Sequence, residues 1–172
     1  MSQSAEFTSV PRLRLFNTPL ECGFRMLFLL HVGGPRSRDL QRLVSYDYLL
    51  VHSGDANEGP ASLHPAVPFR GSEWLVKRDV ISAGLNQMFS RGLLRKHTTS
   101  EGIVYQPSEL TGPFIDLLKA PYAKLLLERA HWIESHFGDM SDDQLESYMS
   151  ENIGRWGAEF ERLTALKELD FS

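Results

Sequence analysis

Apolar positions recur along most of this chain at the three- and four-residue steps of amphipathic helices, and the breaks between runs fall on glycine and proline. Thr18-Pro19-Leu20-Glu21 opens the first run, with Thr18 placed as N-cap, Pro19 at the first helical position and Glu21 positioned to close a capping box. This helix is expected to end near Val32, at Gly33-Gly34-Pro35. Ser37 is placed to cap a second helix, on which Leu40, Leu43, Val44, Tyr48 and Val51 share a face. Residues 52–70 contain Gly54, Gly59, Pro60, Pro65 and Pro68 and read as a long loop. A third helix is expected from Ser72, with Leu75, Val76, Val80, Ile81, Leu85, Met88 and Phe89 inward and Gly92 at its end. Residues 93–98 and 102–106 then form a short hairpin, since Ile103, Val104 and Tyr105 suit a strand. Three further helical stretches cover residues 108–119, 121–137 and 141 to about 169, the last opened by a capping box over Ser141-Asp142-Asp143-Gln144.

Three helices followed by a hairpin is the order of a winged helix-turn-helix, an order that a generic α+β domain also shares. The expected architecture is α+β and mostly helical. A winged helix-turn-helix-like core of three helices and a β-hairpin wing would fill residues 15–107, including the long loop 52–70. A mobile N-terminal arm over residues 1–14 would precede it. A C-terminal helical extension over residues 108–172 would follow, forming one compact unit with the core and presenting an amphipathic surface for partners.

The length of 172 residues suits one domain with a self-sufficient core. The single cysteine, Cys22, excludes a disulfide scaffold and favours a reducing compartment. The longest apolar run, residues 26–30, is too short to span a bilayer, and residues 1–10 lack the features of a signal peptide, so a cytoplasmic location without a membrane partner is expected. Net charge is −4, but unevenly spread. Residues 69–97 carry six bases against two acids, whereas residues 134–172 carry ten acids against three bases. Any contact with nucleic acid should therefore be confined to one face.

Among residue types that carry chemistry, His52, Asp55 and His64 share the long loop, where they suit zinc binding or general-base work. The simpler reading is structural: aspartate beside glycine is a turn residue, loop histidines commonly bond backbone, and no metal-binding or nucleophile motif accompanies them. His131 and His136 are five apart, on different faces of a helix, and Cys22 lies on an apolar helix face. No catalytic residue, cofactor or metal is expected. Lys77 and Arg78 of the third helix, with Arg95 and Lys96 of the hairpin, are the expected face for DNA or an acidic partner, although Glu73 and Asp79 lie beside them and Trp74-Leu75-Val76 reads as buried. Of Trp132, Tyr148, Trp156 and Phe160, Trp156 stands out as an interface anchor, because Gly154 and Gly157 flank it.

Several phrases occur together in order: Tyr46-Asp47-Tyr48-Leu49-Leu50-Val51-His52-Ser53-Gly54-Asp55, Ser62-Leu63-His64-Pro65 with Phe69-Arg70, Leu75-Val76-Lys77-Arg78 with Gly84-Leu85, Arg91-Gly92-Leu93, Gly102-Ile103-Val104-Tyr105 and Arg129-Ala130-His131-Trp132. In this series, from about Leu15 to Phe160, the chain resembles the small middle component of bacterial ABC-three-component systems, closest to the type accompanying Lamassu-like anti-phage systems. The resemblance implies a non-catalytic, winged-helix accessory subunit that bridges an ABC or SMC-like ATPase and an effector, often a nuclease, and keeps the effector quiet until activation, with double-stranded DNA met through the complex. The segment from Asp47 to Arg70 would contact the partner, with His52, Asp55, His64 and Arg70 fixing its shape by side-chain to backbone hydrogen bonds. Two rival readings are a stand-alone winged-helix transcription regulator and an enzyme using His52, Asp55 and His64.

Overall fold

Thr18 does what its sequence context demands. In the computed structural model, which describes residues 17–65 and 70–170 apart from the side chains of 70–76 and 157–170, its hydroxyl accepts from Glu21 N (3.3 Å) while Glu21 Oε2 accepts from Thr18 N (3.1 Å). Helix α1 (Pro19–Gly33) starts there and ends at Gly34, whose φ of 64° is one that glycine adopts freely. Its side chains are buried on nearly every side, from Cys22 through Leu30, so α1 is the central helix and packs against four others.

The Gly-Gly-Pro turn leads into a short strand that the sequence pattern does not announce, β1 (Arg38–Asp39). Helix α2 (Leu40–Val51) is capped by Asp39, whose Oδ1 accepts from Arg42 N at 2.7 Å, rather than by Ser37. Ser37 sits outside the helix because residues 38 and 39 are engaged in the sheet, and its hydroxyl meets Gln106 Nε2 at 2.7 Å. Helix α3 (Arg70–Ser90) begins two residues before the expected Ser72. It crosses α1 closely at Gly84. A methyl group on Gly84 would lie 2.4 Å from the Pro19 carbonyl oxygen and 2.6 Å from Gly23 N, so the two helices meet backbone to backbone.

Strands β2 (Leu94–Thr99) and β3 (Gly102–Pro107) form the hairpin, and β1 joins its far side through Arg38 opposite Tyr105, giving the antiparallel order β1-β3-β2. Helix α4 (Thr111–Leu117) is shorter than the expected 108–119, because Ser108 and Thr111 bond the hairpin root instead: Ser108 Oγ donates to Gly92 O (2.7 Å) and Thr111 Oγ1 to Leu93 O (2.6 Å). Helix α5 (Pro121–Phe137) matches its expected bounds, and α6 (Asp142–Asp170) opens on the expected box, with Gln144 N donating to Ser141 Oγ and Ser141 N to Gln144 Oε1. The chain is a mostly helical α+β fold. One hydrophobic cluster runs from α1 and α2 through Leu126, Ile133 and Phe137 of α5 to Leu145, Met149 and Trp156 of α6. At its border, Arg38 Nη2 grips both oxygens of Glu134 (2.7 and 3.0 Å), and Arg42 reaches Asp142 Oδ1 (2.7 Å) and the Met140 carbonyl (2.6 Å). The start of α2 is thereby tied to the α5–α6 corner. The arm expected over residues 1–14 lies outside the described residues.

Candidate functional site

Beneath the Pro/Gly loop, α1, α2 and α3 each contribute one charged side chain to the interior. Asp47 of α2 is fully buried; Arg25 Nε donates to its Oδ1 at 2.6 Å and Arg25 Nη2 to its Oδ2 at 3.0 Å, while Lys77 Nζ stands 3.5 Å from Oδ2. Burial favours the protonated acid, yet Arg25 and then Lys77 outweigh it and hold the Asp47 pKa at about 2. The second Arg25 nitrogen also lies 3.2 Å from Cys22 Sγ. Burial, reinforced by Asp47, pushes the Cys22 thiol up to about 11, so it remains a protonated packing group.

The loop is fastened over this cluster. His52 ends α2 with its N–H on the Tyr48 carbonyl (2.9 Å), and its buried ring lies between those of Tyr48 (5.1 Å) and His64 (6.5 Å). A 3-10 turn follows at Ser53–Asp55, where Asp55 Oδ2 accepts the Tyr48 hydroxyl at 2.7 Å. Gly59 has to be glycine: a methyl group there would meet the Ser53 carbonyl oxygen at 1.9 Å. The N–H groups of Leu63 and His64 both reach Val51 O at 3.0 Å, and Arg129 of α5 clasps Ala61 O at 2.9 Å. His64 Nε2 and Tyr122 Oη share a hydrogen bond of 2.7 Å with their rings stacked. Burial, seconded by Arg25, lowers the His64 pKa to about 4, so the ring is neutral near neutral pH. Asp55 and His64 thus bind side chains of α2 and α5, while Ser53 Oγ donates to Ala61 O (3.2 Å) and Ser62 Oγ accepts from Gly54 N (3.0 Å), two side-chain to backbone bonds within the loop. Arg70 begins α3, and its side chain lies outside the described residues.

The four expected cations do not form one face. Lys77 is buried against Asp47 because it shares a helix side with Ile81 and Leu85, both fully buried. Arg78 turns to Gln41 Oε1 (2.8 Å), Arg95 pairs with Glu109, and Lys96 donates to Asn86 Oδ1 (3.2 Å) with its ammonium 5.9 Å from the Phe89 ring centre. Trp156, expected as an interface anchor, packs inside this chain. It is 2% exposed and stacked on Tyr48 at 5.2 Å, docking α6 onto α2, because it continues the α6 stripe of Leu145 and Met149.

Sequence reasoning did not single out Arg25 or Tyr122 and assigned no role in the cluster to Asp47 or Tyr48, which it read only within the second helix and the family phrase. One signal was available: Arg25 and Asp47 are lone charges inside otherwise apolar helical runs. Among the described residues, no group of three or more histidine, cysteine, aspartate or glutamate side chains is arranged to hold a metal ion, and no helix is long and apolar enough to cross a membrane.

No curated protein and no solved structure matches this chain. The phrases that carried the sequence resemblance acquire concrete roles: Asp47 takes two cations, Asp55 and His64 tie down the loop, Gly84 admits α1, and Arg129 clasps Ala61. All of them fall within residues 15–159, which match the family model of ABC-three component (ABC-3C) system Middle Component 2, and the chain belongs to that family.

Proposed function

We propose that this middle component is a non-catalytic accessory subunit of a cytoplasmic anti-phage complex of the Lamassu-like type, bridging an ABC- or SMC-type ATPase to an effector nuclease and restraining the effector until the ATPase engages foreign DNA. The observation that carries the non-catalytic reading is the use made of the loop residues. His52, Asp55 and His64 are packed or hydrogen-bonded to Tyr48 and Tyr122, so they shape a surface loop rather than face an open cleft. A loop segment fastened to the helices between residues 52 and 64 is a well-prepared protein-docking element, since little conformational freedom remains to be lost there on binding. A pull-down of the tagged full chain from cells expressing the other two components, with native mass of the product, tests this reading. It expects both components in one assembly and an effector that becomes active without an ATPase signal when the chain is omitted. Recovery of the chain alone would overturn it.

The order α1-β1-α2-α3-β2-β3, with β1 on the far side of the hairpin, favours a winged-helix reading of the core and with it the rival function, a free-standing DNA-binding regulator. A dimer that shifts one specific duplex at nanomolar concentration would favour the rival.

A further inference from the structure

The end of α3 and the hairpin beside it carry two exposed hydrophobes. Phe89, at the end of α3, is 47% exposed, and Ile103, on β3, is 43% exposed. Lys96 stands opposite Tyr105, so it and Ile103 project from the same side of the hairpin as diagonal neighbours. The Lys96 ammonium lies over the Phe89 ring at 5.9 Å while bonded to Asn86. Ile103, Lys96 and Phe89 therefore form one strip crossing from hairpin to helix, with a single ammonium between two exposed hydrophobes.

This composition does not suit a duplex. Phosphates reward several cations directed to the same side, but Lys77 is buried on Asp47, Arg78 and Arg95 are engaged by Gln41 and Glu109, and Asp79 is exposed on the same helix. Setting Phe89 and Ile103 against phosphate would bury apolar surface beside charge. A protein segment offering two apolar side chains and a carboxylate would cover both hydrophobes and pair with Lys96. We infer that the α3–hairpin face of Phe89, Lys96 and Ile103 is a docking surface for an acidic amphipathic segment of another component of the three-component system, not for DNA. This deepens the accessory-subunit reading, resting on it only for the identity of the components tested.

The test co-expresses the tagged full chain with the other two components and compares wild type with Phe89→Asp, Ile103→Asp and Lys96→Glu. All three positions are at the surface, so the folded state should be kept, as thermal melting would verify. Should an aspartate variant melt early, Phe89→Ala and Ile103→Ala are read in its place. The expected result is a loss on the order of tenfold in recovery of one component for each apolar replacement. A smaller, salt-dependent loss is expected for Lys96→Glu, with retention of a random-sequence duplex unchanged. Wild-type recovery of both components by the apolar variants would overturn the inference, as would a loss of duplex retention in place of a component. Failure of the wild-type chain to recover either component sinks the accessory reading instead. The face is then decided by anisotropy with a labelled synthetic peptide bearing two leucines one helical turn apart and flanking glutamates: binding abolished by Phe89→Asp upholds it, and absence of binding to wild type overturns it.

Discussion

Asp47 shows how much one side chain organises. A carboxylate without exposure is costly unless its partners are complete, and here Arg25 and Lys77 come from two different helices. Asp47→Asn removes the negative charge that both cations face, together with one of its two acceptor oxygens. A loss of about 3–5 kcal/mol is expected, read as a lower urea midpoint at neutral pH. The pH dependence follows from the shifted groups. The Asp47 pKa is lowered from 3.8 to about 2, so its contribution is complete above pH 3.8 and disappears as pH falls towards 2. The His64 pKa is lowered from 6.5 to about 4, so the unfolded chain binds more protons between those values; stability is complete above 6.5 and declines as pH falls towards 4. His64→Gln should flatten the urea-midpoint profile between pH 4 and 6.5 while leaving the decline between pH 3.8 and 2, from which Asp47→Asn should remove the contribution of Asp47. None of this pairing is legible in sequence. Arg25 and Asp47 are readable as lone charges in apolar runs, but which charge meets which depends on how the helices cross.

At the scale of elements, the starts of α1 and α6 were legible because capping boxes are local chemistry: Thr18 with Glu21, and Ser141 with Gln144, each close within four residues. Strand β1 was not, since two residues have no period to detect and Arg38-Asp39 are extended only because β3 pairs with them. Lys77 was misplaced for a readable reason, its step of four to Ile81, which outweighs the charge. The α1–α3 crossing supplies a further prediction. Gly84→Ala forces a methyl group into the Pro19 carbonyl and the Gly23 amide, where no side chain can turn away, and should lower stability by about 1–3 kcal/mol or more in urea denaturation. The loop supplies another. Tyr122→Phe removes the hydroxyl that meets His64 and should speed amide exchange at Leu63 and His64 relative to the amides of α5.

Across the whole molecule, the acidic final third is joined to the rest by apolar packing and by charge. Trp156→Ala should cost about 3–5 kcal/mol, because it empties a fully buried indole site between α6 and Tyr48. Its unfolding transition, followed by circular dichroism, should also broaden if α6 separates before the core. Sequence periodicity found the α6 stripe but not its destination, as a helix face does not say which helix it will meet. The central position of α1 has a consequence for synthesis. Phe24 stacks on Phe114 at 5.8 Å, and α5 lines the same helix, so the run Met26-Leu27-Phe28-Leu29-Leu30 reaches the ribosome exit long before the residues that will cover it. At about 5–20 residues per second, roughly five to twenty seconds separate the making of Phe24 from that of Phe114, an interval in which a nascent-chain chaperone has reason to hold the first helix.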